Sequence, residues 1–131
     1  MNQIPNVVFV CEHGAAKSIV AAAYLNKVAN EMGLDLHAVA RGTNPDHELS
    51  PQAIEGLRKD YLSPTESAPQ KLTLADMQSA QRVVTFCDLP VEYQVQVSLE
   101  RWDDVPSVSE NYAEARDAIV KHIYQTLKSL S

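Results

Sequence analysis

Apolar residues fall along this chain in short runs separated by longer amphipathic stretches. Residues 7–10, Val-Val-Phe-Val, form an unbroken run that fits a strand buried on both faces. It leads into Cys11, a loop of small residues (Gly14, Ala15, Ala16), Lys17-Ser18 and then an alanine-rich segment. Residues 18–32 are good helix formers with Val20, Ala23, Tyr24 and Val28 at helical spacing, and Gly33 supplies a stop. Residues 36–40 are β-leaning and end on the turn-rich Arg41-Gly42-Thr43-Asn44-Pro45. Ser50-Pro51 reads as an N-cap followed by a first-turn proline, opening a helix to about Lys59. Residues 63–69 read as loop, and Thr73 with Asp76 predicts a capped short helix ending near Ser79. Residues 82–87 are a further buried-strand candidate, 95–99 a weaker one, and 102–111 a loop. Residues 112–130 form an amphipathic closing helix with Ala115, Ile119, Ile123, Leu127 and Leu130 on one side.

Strands alternating with helices predict an open parallel sheet covered on both faces. In such sheets the ligand sits beyond the carboxyl ends of the strands, where Cys11, Gly42, Cys87 and Trp102 all fall.

Composition narrows the picture further. The 131 residues fit one domain, 1–131, with a single core. A net charge of −6 and the lack of a basic stripe argue against non-specific nucleic-acid binding. The first residues carry no secretory pattern, and no apolar run approaches the length of a membrane span. Two widely separated cysteines fit reduced thiols better than a structural disulfide. A soluble cytoplasmic protein is expected.

The first strand, loop and helix carry the candidate chemistry. That order of elements aims backbone N–H groups and the positive end of a helix dipole at one point. The cradle would comprise Glu12, His13, Gly14, Ala15, Ala16, Lys17 and Ser18, with Cys11 at its floor. A cysteine ending an apolar run is often an inert small hydrophobe. The spacing Cys11-x5-Lys17-Ser18 on a strand-to-helix turn favours a nucleophile instead, since a thiolate there is stabilised by N–H groups and a nearby ammonium.

This loop resembles the Cys-x5-Arg-Ser loop of the low-molecular-weight protein tyrosine phosphatases and of the related thioredoxin-coupled arsenate reductases. The likeness continues through Ala40-Arg41-Gly42-Thr43, Leu49-Ser50-Pro51-Gln52-Ala53, Arg82-Val83-Val84-Thr85 and Trp102-Asp103-Asp104-Val105-Pro106. It implies a three-layer α/β fold with a four-stranded parallel sheet in order 2-1-3-4. It also implies phosphate monoester hydrolysis through a phosphocysteine: attack by Cys11, charge stabilisation by Lys17, and Ser18 bonded to the thiolate. Asp104 or Asp103 would protonate the leaving group, or both are ordinary loop aspartates. The sequence departs from the family at Lys17, where an arginine is usual, and at His13-Gly14, where Gly-Asn is usual. Aligned on Val105-Pro106, the family's aspartate falls on Ser107. Weak catalysis is expected.

Three alternatives stand beside hydrolysis. An arsenate reductase would use Cys11 and Cys87, with a thiol reductant as partner; Cys87 fits a structural role as well as a redox one. A cysteine phosphocarrier would not use the arginine, and a non-catalytic module would bind only an oxyanion or a partner. His13 is a candidate general base, but no histidine or cysteine stands at metal-ligand spacing to it, so no metal site is expected. His37, His47 and His122 read as surface or structural residues, and Tyr112 as a helix-packing residue. The expected partners are phosphate, arsenate or a phosphorylated substrate, with no cofactor, nucleic acid or membrane.

Overall fold

The computed structural model describes residues 6–93 and 99–130. Strand β1 (Asn6–Cys11) is the second of four parallel strands, in the order β2-β1-β3-β4, with β2 at His37–Gly42, β3 at Ala80–Thr85 and β4 at Leu99–Arg101. The predicted order is therefore the observed one. Cys11 pairs with Gly42 and Val10 with Thr85, so the ends of the three longer strands are level at one edge.

Alternation along β1 divides the core. Val7 and Phe9 face a layer formed by helices α1 (Lys17–Glu31), α2 (Pro51–Lys59) and α4 (Tyr112–Leu130). Val8 and Val10 face the other side, where Leu72, Met77 of helix α3 (Leu74–Ser79), Val83 and Tyr93 complete a smaller cluster. All four of these strand residues are fully buried, which explains the absence of polar positions in the run. Helix α1 buries Ser18 through Leu25 without interruption, and its alanines let sheet and helices approach closely. Ser50 caps α2 by accepting from the Ala53 N–H, and Thr73 with Asp76 forms the expected capping box of α3.

The third strand is displaced from its expected place. It spans Ala80–Thr85 rather than 82–87; Phe86 follows it, its N–H still donating to the Val10 carbonyl at 2.9 Å and its ring set between Phe9 and Trp102, with centroids 6.4 and 5.6 Å away. Cys87 thus lies two residues beyond the strand. The weaker strand expected at 95–99 falls outside the described residues over 95–98; Leu99 opens β4.

Candidate active site

The loop between β1 and α1 is held by its carbonyls. Thr43 N–H donates to the Cys11 carbonyl, Asn44 to Glu12, Asp46 to His13 and Ser50 to Ala15, at 3.2, 2.7, 3.0 and 2.9 Å. The peptides of the described residues are trans, so the N–H that follows each carbonyl points the opposite way. The N–H groups of Glu12, His13, Gly14 and Ala16 are therefore directed away from the 43–50 segment. Gly14 makes this course possible with a φ of +61°, a conformation costly for other residues. Lys71 steadies the bracing segment through a 2.6 Å bond from its Nζ to the Thr43 carbonyl.

Helix α1 begins at Lys17 with no side-chain cap and no acidic residue in its first turn. Its first N–H groups and the positive end of its dipole consequently face the loop uncompensated by the chain. Cys11 is 8 % exposed, and its Sγ lies 3.0 Å from the Oγ of fully buried Ser18, whose hydroxyl can donate to a thiolate. Lys17 is half-buried and has no hydrogen-bond or ion-pair partner among the described residues.

A cavity of about 610 Å³ opens above Cys11, lined by residues 11–13, 15–17, 46–51 and 107–109. The structure brings Cys11, Glu12, His13, Ala15, Ala16 and Lys17 to this cavity; Gly14 and Ser18 stand behind it as supports. His13 sits at the rim, its Nδ1 3.3 Å from both the Asn44 carbonyl and an Asp46 carboxylate oxygen, with Glu12 3.9 Å from its Nε2.

The two aspartates considered as proton donors are not brought there. Asp103 is paired with Arg101 Nε at 2.5 Å, and Asp104 with His122 Nε2 at 2.6 Å. His122 stacks on Trp102, ring centroids 4.7 Å apart, and its bond holds the Asp104 carboxyl below the usual range. These contacts tie the start of the 102–111 loop to β4 and α4. That side of the cavity wall is instead formed by Ser107, Val108 and Ser109. His122 thus has a structural partner, as expected, and Tyr112 packs as a helix residue bonded to Asp60.

Cys87 lies beside the site rather than in the cavity lining. Burial pushes its thiol up, the negative charges of Cys11 and Glu12 add to the rise, and a hydrogen bond with Thr43 opposes it. Both cysteines are free thiols. Sequence reasoning did not place residues 46–48 of the wall in the site and read His47 as surface or structural. They precede the Ser50 cap of α2 and carry no periodicity, so only their chain position after Gly42 pointed to the site.

Comparison with known proteins agrees with this geometry. Among solved structures, YfkJ from Bacillus subtilis superimposes with a TM-score of 0.84 at 19 % identity, over 98 % of this chain and 96 % of that one. A low molecular weight protein tyrosine phosphatase from Bacillus subtilis gives 0.78 at 19 % identity, covering 95 % and 96 %. The thioredoxin-dependent arsenate reductase of Corynebacterium glutamicum gives 0.73 at 21 % identity, over 98 % of this chain and 62 % of its own. No curated protein matches the chain. No helix among the described residues is long and apolar enough to cross a membrane. Residues 6–129 match the family described as low molecular weight phosphotyrosine protein phosphatase, and the chain belongs to that family.

Proposed function

We propose that the protein hydrolyses phosphate monoesters through a phosphocysteine on Cys11. The observation that carries this reading is the Cys11 sulfur, bonded to Ser18, in an open cavity that Lys17 also lines, with no partner for Lys17 among the described residues. In this mechanism the thiolate attacks phosphorus, while loop N–H groups and Lys17 bind the equatorial oxygens as charge builds on them. Ser18 stabilises the thiolate when it later departs. Lysine presents a point charge where arginine would offer a planar fork, so turnover is slow. Free thiols fit a reducing compartment, and the cytoplasm is the location this activity suits.

A second reading is arsenate reduction with Cys87 attacking a Cys11 adduct and an external thiol completing the cycle. It is favoured by a second free cysteine two residues past the end of β3, and opposed by the burial that pushes the Cys87 thiol up and leaves less of the nucleophilic thiolate. The test is a parallel assay of aryl-phosphate hydrolysis and thiol-dependent arsenate reduction, with wild type and Cys11→Ser. Hydrolysis that depends on Cys11, with little arsenate reduction, supports the first reading. The reverse pattern supports the second.

A further inference from the structure

We propose that His47 supplies the proton to the leaving group. The inference rests on the phosphocysteine reading, which requires a donor that the 102–111 loop does not bring to the cavity. Asp103 and Asp104 are engaged by Arg101 and His122. Ser107 and Ser109 present hydroxyls bonded to each other at 2.9 Å, and a hydroxyl is too weak an acid to replace a carboxyl group. His13 is held by the Asn44 carbonyl and Asp46, with Glu12 close by. Lys17 is the cation of the cradle. Of the remaining carboxylates on the lining, Glu12 and Asp46 lie against His13, and Glu48 is exposed.

His47 shares an open place on the lining with Glu48 and carries an imidazole there instead of a carboxylate. It lines the Cys11 cavity, is exposed, and has no hydrogen-bond or ion-pair partner among the described residues. Imidazole is the side chain suited to give and take a proton near neutrality. His47 also lines a second depression of about 420 Å³, which shares Glu48, Leu49 and Pro51 with the first as well and continues to Ile54 and Ala68. A leaving group directed out of the cradle along this route passes the imidazole.

The step balances as follows. The Cys11 thiolate forms the S–P bond as the ester P–O bond breaks, and that electron pair stays on the leaving oxygen. The oxygen takes the proton of the His47 imidazolium and departs as the alcohol. Water then attacks phosphorus and yields its proton to the neutral imidazole; the S–P bond breaks, returning the thiolate and inorganic phosphate.

The experiment compares kcat/KM of the full chain and its His47→Asn variant on phenyl phosphate and on 2,4-dinitrophenyl phosphate, with Cys11→Ser as the blank. Phenol is a poor leaving group, with a pKa of about 10 like the tyrosine side chain; dinitrophenol leaves without help. His47→Asn is expected to lower kcat/KM on phenyl phosphate by about 10²-fold, the usual scale of general acid catalysis. On the dinitrophenyl ester it is expected to change little, and His47→Gln should behave alike. Equal loss on both esters, or none on either, overturns the role of His47 while leaving the phosphocysteine in place. If wild type shows no Cys11-dependent turnover even of the dinitrophenyl ester, the phosphatase reading and the His47 role both fall.

Discussion

Gly14 and Gly42 meet backbone to backbone: a Cβ on Gly14 would stand 2.8 Å from the Gly42 nitrogen, and one on Gly42 would stand 2.7 Å from the Gly14 nitrogen. The contact seats the Cys11 loop against the end of β2, and neither backbone can yield cheaply. Gly42→Ala is therefore expected to destabilise the fold by about 1–3 kcal/mol, the range of ordinary damaging substitutions. Gly14→Ala adds the left-handed penalty of about 1–2 kcal/mol. Urea midpoints and phosphate titrations by NMR check this. Native phosphate affinity in Gly42→Ala would show that the loop keeps its shape without the contact.

Lys17→Arg is expected to raise the rate of aryl-phosphate hydrolysis. A second strong donor to an equatorial oxygen is worth about 2–4 kcal/mol, by analogy with loss of one oxyanion-hole donor. Steady-state kinetics provide the measurement. A rate at or below wild type, with phosphate still bound, would mean that lysine is not what limits the chemistry.

Ser107→Asp places a carboxyl group on the cavity wall. It is expected to increase kcat/KM on poor leaving groups by at least about tenfold, the lower side of general acid effects. Asp103→Asn should stay near wild type, because that side chain serves Arg101 outside the cavity. A large loss in Asp103→Asn with an unaltered melting temperature would return the proton donor to the start of the loop.

Asp60 joins α1, α2 and α4, accepting from Tyr24, from Tyr112 at 2.8 Å and from Arg116 at 3.1 Å. Burial raises its carboxyl, but the two hydroxyls and the guanidinium outweigh burial and hold it below the usual range. A depressed carboxylate contributes stability above its unfolded value of about 4 and loses it as pH falls through the lower folded value. Tyr24 behaves in the opposite sense: burial, and then the bond to Asp60, push it up to about 12. Its contribution is whole below pH about 10 and fades between that value and about 12. Asp60→Asn should flatten both limbs and cost about 2–4 kcal/mol at pH 7, since it leaves partly buried partners unmatched. Melting temperatures across pH test both limbs; unchanged limbs would place the pH dependence elsewhere.

At neutral pH Cys11 is expected to be alkylated before Cys87, whose thiol is raised by burial and by the charge of Cys11. Peptide mass spectrometry after limited iodoacetamide treatment reads the order. Mild peroxide or arsenate should leave no Cys11–Cys87 bridge, as a bridge needs Cα atoms within about 7 Å and converging Cβ directions. A bridge formed rapidly and reversibly by arsenate would favour the reductase reading.

The strand order, the helix caps and the floor of the site were legible in the chain. Val7–Val10 read as a strand buried on both faces, and Ser50-Pro51 and Thr73 with Asp76 carry their boundaries in local hydrogen bonds. Cys11 and the loop around it were legible as a candidate site because one short segment supplies thiol, N–H groups and ammonium together. Contacts between distant segments decided the rest. β3 ends at Thr85, with the Phe86 ring set between Phe9 and Trp102, so Cys87 lies beyond the strand. Arg101 and His122 took the two aspartates, and their spacing from proline could not reveal that. His47 reached the cavity only through the bonds from residues 43–50 to the loop carbonyls. Local propensity and motif spacing act within a few residues of the chain; where a side chain points at the end of a loop is set by partners many residues away, and only the folded arrangement supplies those.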